Sequence, residues 1–456
     1  MNKFNEYLNN YVSGKNVCIL GFGREGKSTY KLIDKYCSCS SITIADVNQI
    51  DRMANSLPDK VKTICGETYQ DSLGNFDIVF KSPGIVLKTD ASELDCEITC
   101  ETQVFFEFFR RQIVGITGTK GKSTCSSLIF HILSESGCDC RLAGNIGIPV
   151  FDIAESITDN TIIVCELSCH QLEYMTVSPH IAVMLNLYEE HLDHYGTMEK
   201  YAAAKQNIYL NQQADDILFC NSDILPNNAR PLVKSISASN PEADIYVSDR
   251  IIRCGNDEYE IPTDKIHLLG VHNHYNIAIA YAVCKMLNIS ENSITTALCT
   301  FNPLAHRLEY VGTADGVSYY DDSISTACAT AIEAVKSVPN PGTILIGGMD
   351  RGIDYTELID FLDSTDINVI CMEHSGKRIF DIIMSGSFRN HDRVHYAAHL
   401  DEAVKLAHQI TKKGQSCILS PASASYGIFR NFEERGDAFK ELVAGLKKEE
   451  SMQDEQ

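Results

Sequence analysis

Short apolar runs alternate with longer amphipathic stretches along nearly the whole chain. The first run, Asn16 to Leu20, has the length of a buried strand and leads directly into Gly21-Phe22-Gly23-Arg24-Glu25-Gly26. A helix is predicted from Lys27 to Lys35, and a second strand, Ser41 to Ala45, stops at Asp46. A third, Phe76 to Phe80, ends in Lys81-Ser82-Pro83-Gly84, and this block closes near Arg110-Arg111. Apolar runs of this length, bounded by glycine and separated by helical patterns, mark strands buried on both faces by covering helices.

A second block opens on the strand Gln112 to Ile116, followed by a helix from Ser123 to Ser136 that Gly137 stops. Strands are predicted at Thr161 to Cys165 and Ile181 to Leu185, and helices at Met198 to Asn211 and His272 to Leu287. A third block begins near Pro303, with strands at Val317 to Tyr320, Thr343 to Ile346, Asn368 to Met372 and Ser416 to Leu419 and helices between them. The fold class is α/β in three domains. A Rossmann-like N-terminal domain covers 1–110, and a central P-loop ATPase-like domain with a mostly parallel sheet covers 111–303. A second Rossmann-like domain covers 304–456, and its charged tail after Ala444 is expected to fray.

Composition narrows the function classes. The chain has 456 residues, 44% apolar and 22% charged, ordinary for a soluble globular protein. It has no run of about 18 apolar residues, which argues against a membrane span. Met1 to Gly14 lacks the apolar segment of a secretory signal, so a cytoplasmic location is expected; a monomer is expected separately. The net charge of −22 opposes nucleic-acid binding. A local basic cluster can still hold an anionic small substrate. The 18 cysteines include CxC pairs at Cys37/Cys39 and Cys138/Cys140 but no CxxC, and reduced thiols are expected.

The strongest chemical signal is Gly115-Ile116-Thr117-Gly118-Thr119-Lys120-Gly121-Lys122-Ser123-Thr124. It departs from the strict GxxxxGK[ST] loop, because Ile116 stands where the first glycine belongs. The physics survives: glycines let backbone N–H groups wrap phosphates, and the following helix adds its dipole. Lys122 is placed to reach the β- and γ-phosphates and Ser123 to bind Mg²⁺. The earlier Gly21/Gly23/Gly26 turn can hold a diphosphate in the same way, with Asp46 on a ribose hydroxyl.

Glu166 ends a strand beside the phosphate loop, where a Mg²⁺ ligand belongs. His191 lies in Glu190-His191-Leu192-Asp193-His194, where it can meet a metal or a substrate phosphate; the HxDH spacing hints at zinc, but no third or fourth ligand is in range and zinc is discounted. Lys205 follows three alanines on a helix, the pattern of a solvated side chain. In the third block, polar loops at His306-Arg307, Asp321-Asp322-Ser323, Gly347 to Gly352 and Ser420 to Ser425 follow successive strands and should converge on one edge of an open sheet.

These motifs together resemble the Mur ligase family, over nearly the whole chain and in the family's order. The specific parts are Gly118 to Thr124, Gly144-Asn145-Ile146-Gly147, Glu166-Leu167-Ser168, Glu190 to Asp193, His306-Arg307 and Ser420-Pro421-Ala422. Folylpolyglutamate synthases share the phosphate loop, but the first block and Phe429 to Gly436 favour the branch of the Mur family that adds glutamate. The resemblance implies an ATP-dependent ligase that joins glutamate, D-glutamate above all, to UDP-N-acetylmuramoyl-L-alanine through an acyl phosphate, using Mg²⁺ at two positions.

It also implies roles. Gly118, Thr119, Lys120, Gly121, Lys122, Ser123 and Thr124 hold ATP phosphates; Asn273 and Asn276 lie near the nucleotide. Ser123, Glu166, His191 and a carbamylated Lys205 hold metal. Arg307 and Asp322 bring the last domain onto ATP. Gly21, Gly23, Arg24, Glu25, Asp46, Ser82 and Gly84 bind the uridine diphosphate, and Asn145, Ser168, Gln171 and His191 the muramoyl-alanine end. Arg351, Ser425 and Phe432 hold the incoming glutamate. Ile324 replaces a lysine of the family's pattern and Arg351 another, so the amino-acid pocket differs and L-glutamate is an alternative. A folate-type ligase and a non-catalytic nucleotide-binding regulator are the more distant alternatives.

Overall fold

The computed structural model describes residues 2–454, with side chains through Lys447. The strands form three sheets. The first holds β1 (Asn16–Leu20), β2 (Ser41–Asp46), β3 (Lys62–Cys65), β4 (Ile78–Lys81) and β5 (Glu97–Thr99), all parallel in the order β3-β2-β1-β4-β5. Strand order reverses at β1, and the turn after it is built by glycine. Gly21 has φ +91° and donates its N–H to the Ala45 carbonyl at 2.7 Å. A Cβ on Gly26 would run into the Gly21 carbonyl, so only glycine lets the helix Arg24–Tyr36 start this close to the turn. The N-terminal segment is itself a helix, Lys3–Val12. Phe4, Leu8 and Val12 recur at four-residue spacing and bury one face. Phe4 meets Phe105 and Phe151 at ring-centroid distances of 5.8 and 5.7 Å.

The second sheet runs β14-β13-β12-β11-β10-β9-β6-β8-β7. Its members are β6 (Ile113–Thr117), β7 (Cys140–Gly144), β8 (Ile162–Glu166), β9 (Ile181–Met184), β10 (Ile217–Asn221), β11 (Leu232–Ser237), β12 (Ile245–Ser248), β13 (Ile251–Cys254) and β14 (Asp257–Glu260). Pairing is parallel from β7 to β12 and antiparallel beyond. In these two sheets the sequence pattern misses β3, β5, β7 and β10 to β14. Beyond β10 these strands are short or half exposed and lack a continuous apolar run.

The third sheet holds β15 (Glu309–Ala314), β16 (Val317–Asp321), β17 (Pro341–Gly347), β18 (Asn368–Met372), β19 (Val394–Ala397) and β20 (Ser416–Leu419), in the order β15-β16-β20-β17-β18-β19 with only β15 antiparallel. An apolar layer covers each face. The tail expected to fray instead belongs to the helix Phe432–Asp454, because Phe439 and Val443 bury against Tyr319 and Val404.

The chain forms two compact units. One comprises Met1–Ile261 with Tyr275–Leu298 and carries the first two sheets; the other comprises Pro262–His274 with the chain from Cys299 onward and carries the third. No helix among the described residues is long and apolar enough to cross a membrane. All eighteen cysteines are free thiols, as expected from their spacing.

Candidate functional site

β6 lies between β8 and β9, so the loop leaving it is flanked by the carboxyl ends of both neighbours. That loop reaches the helix Lys122–Glu135 through Gly118 and Gly121, with φ of +157° and +86°. A Cβ on Gly118 would lie 2.7 Å from Leu185 Cβ, and one on Gly121 2.7 Å from Asn276 Oδ1. The first helical bond is Cys125 N–H to the Gly121 carbonyl, which leaves the amides of Lys122, Ser123 and Thr124 at an open helix N-terminus.

Not every loop group faces outward. Asn186, directly after β9, accepts the N–H groups of Thr119 and Lys120 on its Oδ1 at 3.0 and 2.8 Å and donates to the Lys120 carbonyl. The Thr119 hydroxyl sits 3.0 Å from the Tyr201 hydroxyl, and Lys120 pairs with Glu190 at 2.7 Å. These groups shape the loop, and the amides left open are the ones at the helix start. Sequence reasoning gave Asn186 no role, although it stands at a strand's carboxyl end just as Glu166 does.

Glu166 closes β8 opposite Ile116 and is fully buried. Its Oε1 accepts from Asn145 Nδ2 at 2.7 Å, while Oε2 is buried without a hydrogen-bond partner. A lone carboxylate oxygen in such a place costs several kcal/mol unless a cation or proton meets it, on the order of 1–3 for an unmade hydrogen bond alone. Lys122 Nζ folds back on the carbonyls of Gly118 and Thr119, both at 3.0 Å. Burial lowers its pKa against the pull of Glu166 and Glu190.

Lys205 overturns its solvated reading. Only 1% exposed, it donates to the Gly118 carbonyl at 2.8 Å and lies over the Tyr201 ring. Its helix, Met198–Leu210, buries Tyr201, Ala204, Lys205, Ile208 and Tyr209, so of the three alanines Ala204 shares the buried face with Lys205 while Ala203 is exposed. Burial first and the Lys122 ammonium second push Lys205 down to about 8. His191 is half exposed, at φ +57°, with its ring 5.2 Å from His170 and 6.0 Å from Tyr201.

In the first sheet, Ser82 donates to the Gly21 carbonyl at 2.9 Å, which brings the two predicted diphosphate loops together; Gly84 is open beside them. Gly23 caps the helix that Arg24 and Glu25 begin. Asp46 accepts the N–H groups of Phe22 and Asn48 at 2.7 and 2.8 Å, so its carboxylate first of all shapes the glycine turn. Arg24 reaches the Asn145 carbonyl at 3.3 Å. Gln171 forms a capping box with Ser168 and donates to Glu25 at 2.8 Å. Burial pushes Glu25 up to about 7.

The second unit gathers the other predicted loops at the carboxyl ends of β16, β20 and β17. Asp322 is buried, accepts Ser420 Oγ at 2.7 Å and the Leu308 N–H at 3.3 Å, and is pushed up by burial to about 6 with Arg307 pulling the other way. Ser323 donates to the Phe432 carbonyl at 2.8 Å. Met349 donates its N–H to the Ala424 carbonyl beside buried Ser425, and Arg351 lies exposed in the loop that follows. Arg435, unassigned in the sequence reading, is fully buried and donates to the carbonyls of Ser323 and Ser423 at 2.8 and 3.0 Å, tying two of these loops together. Asn273 donates to the Leu269 carbonyl at 2.6 Å.

Residues 116–284 match the family model of the Mur ligase middle domain. A UDP-N-acetylmuramoylalanine–D-glutamate ligase of Pelotomaculum thermopropionicum is 33% identical over 95% of this chain and 98% of its own. One of the same name from Clostridioides difficile is 32% identical over 96% and 100%. Among solved structures, the MurF ligase of Thermotoga maritima in complex with ADP superposes with a TM-score of 0.57 at 15% identity, covering 98% of this chain and 100% of that one.

Proposed function

The chain belongs to the Mur ligase family, and from that premise we propose that it joins D-glutamate to UDP-N-acetylmuramoyl-L-alanine, consuming ATP, in the synthesis of peptidoglycan precursors. The observation that carries the reading is full-length similarity to two ligases of that name. The phosphate loop and the orphaned Glu166 oxygen give it a chemical basis.

An unactivated carboxylate does not acylate an amine. Transfer of the γ-phosphoryl group to the carboxylate makes an acyl phosphate, which the glutamate amine attacks with loss of phosphate. In this reading the amides of Lys122, Ser123 and Thr124 hold phosphate oxygens, and Lys122 Nζ moves from the Gly118 and Thr119 carbonyls onto them. Glu166 Oε2 fits Mg²⁺, an oxygen-seeking cation that would offset phosphate charge, with Ser123 as a further ligand; His191 would hold a second Mg²⁺, and Lys205 would add an anionic metal ligand. Lys205 becomes a ligand by carbamylation: its neutral Nζ adds to the carbon of CO2, one proton leaves, and a cation becomes an anion.

The functional division is 1–110 for the uridine diphosphate, 111–303 for ATP and 304–456 for glutamate. Gly21, Gly23, Arg24, Glu25, Asp46, Ser82 and Gly84 serve the first. Asn145, Ser168, Gln171 and His191 hold the muramoyl-alanine end. Asn273, Asn276, Arg307 and Asp322 serve the nucleotide, and Arg351, Ser425 and Phe432 the glutamate.

Phosphate release in the presence of ATP, Mg²⁺ and UDP-N-acetylmuramoyl-L-alanine, with D- or L-glutamate added separately, tests this. Release with D-glutamate is expected. Release with L-glutamate alone would favour the second reading, which Ile324 and Arg351 motivate, and no release with either would sink the ligase assignment.

A further inference from the structure

His170, Glu173 and His194 have no role in the ligase reading, yet the fold brings them together. His170 and Glu173 come from the segment after β8, and His194 from the short helix Leu192–Tyr195 after β9. One donor atom from each lies within 4.8 Å of the other two. His194 Nε2 is 3.3 and 3.4 Å from the two Glu173 oxygens, and the His170 and His194 rings stand 4.4 Å apart. The His194 and Glu173 side chains are 12% and 21% exposed, reachable by a small ion but largely out of water.

The geometry points to a further cation site here, separate from the two Mg²⁺ positions of the ligase reading, for a divalent metal of the zinc class bound by His170, Glu173 and His194. A tetrahedral zinc about 2.0–2.1 Å from its ligands sets neighbouring donor atoms about 3.3 Å apart, the separation His194 and Glu173 already have. Two imidazoles and one carboxylate suit zinc and leave a fourth position open, whereas Mg²⁺ prefers an all-oxygen shell. Of the HxDH spacing only His194 takes part; His170 and Glu173 supply the other two donors in space. Lys81 Nζ approaches Glu173 Oε2 at 3.7 Å but also donates to the Pro83 carbonyl at 3.2 Å, which leaves Glu173 Oε1 for the ion. A rival set, Cys169, His170 and His191, shares His170 and would take a thiolate together with His191, already a proposed Mg²⁺ ligand.

The inference rests on the chain's own donors and not on the ligase reading, so its test needs no turnover. Full-length protein stripped by a chelator is titrated with Zn²⁺ against a chromophoric chelator in millimolar Mg²⁺. One equivalent should be retained, and His194→Gln and Glu173→Gln should each weaken binding roughly tenfold or more. Co²⁺ in the unaltered protein should give the visible bands of a four-coordinate ion without a sulfur-to-metal band in the near ultraviolet. That spectrum keeps the test independent of whether the variants fold. No retained zinc, unchanged affinity in folded variants, or a sulfur band reporting Cys169 would each overturn the assignment.

Discussion

Lys205 and Lys122 donate to one acceptor, the carbonyl oxygen of Gly118, at 2.8 and 3.0 Å. Two ammonium groups around one buried carbonyl repel, and the more deeply buried amine is the one with the lower pKa, about 8. Near neutral pH a useful fraction of Lys205 is therefore the free amine that CO2 requires. Turnover should fall when CO2 is stripped at pH 8 to 9 and return with bicarbonate, and ¹³C-bicarbonate should give a carbamate resonance lost in Lys205→Ala. A parent that keeps full activity in CO2-free buffer, or a Lys205→Ala variant as active as the parent with bicarbonate present, would refute the carbamate.

The same residue sets a pH dependence of stability. Its folded pKa lies below the ordinary 10.5, so folding carries the cost of a buried cation below about pH 8. That cost is relieved as pH rises from about 8 to the usual lysine range, because the unfolded chain then holds the extra proton. Relative to Lys205→Met, the CO2-free parent should gain stability across that window in urea denaturation. A parallel pair of curves would contradict the assigned shift.

Gly121→Ala tests the phosphate loop. At φ +86° an alanine meets roughly 1–2 kcal/mol of backbone strain, and its Cβ would press on Asn276 Oδ1. ATP affinity should drop about tenfold or more, since 1.4 kcal/mol is a factor of ten. Equilibrium nucleotide binding measures it, with circular dichroism confirming that the fold persists.

The three-sheet α/β fold was legible because buried parallel strands are continuous apolar runs. Asn368–Met372 and Ser416–Leu419 coincide with their predicted spans. β12 to β14 escaped, since edge strands with one exposed face carry little apolar pattern. The phosphate loop and Glu166 were legible from their position at strand ends. Lys205 was not: three alanines signal small-residue packing as well as a surface, and only the tertiary fold decides. His194 illustrates the same limit, because its partners lie more than twenty residues away, beyond any local spacing rule.

Glu166→Gln separates function from stability in opposite directions. The amide keeps the shape and can still accept from Asn145, but removes a buried charge whose Oε2 has no hydrogen-bond partner. Without metal and nucleotide the variant should melt at the same temperature as the parent or higher, because the desolvation cost of a buried carboxylate with an orphaned oxygen is removed and outweighs its attraction to Lys122 and Lys205, with neither of which it forms a direct ion pair. With Mg²⁺ and ADP the parent should gain stability and the variant much less, by the linkage of ligand binding to folding. Differential scanning calorimetry reads both, and equal gains would remove Glu166 from the metal site.

Arg351 stands at the tip of a loop anchored from one side. Arg378 grips Asp350 with bonds of 2.8 and 2.9 Å, and Asp350 also accepts the Gly352 N–H at 2.9 Å. The residue between them is thus held outward on a fixed base. A guanidinium there offers a bidentate fork to a carboxylate of the incoming amino acid, where lysine offers a point charge. Arg351→Ala should raise KM for glutamate roughly tenfold or more with a smaller effect on kcat, the mark of lost ground-state binding. Arg378→Ala, which frees Asp350 without removing the fork, should move KM in the same direction by less. Initial rates against glutamate concentration decide it: an Arg351→Ala enzyme with unchanged KM would remove this residue from the amino-acid pocket.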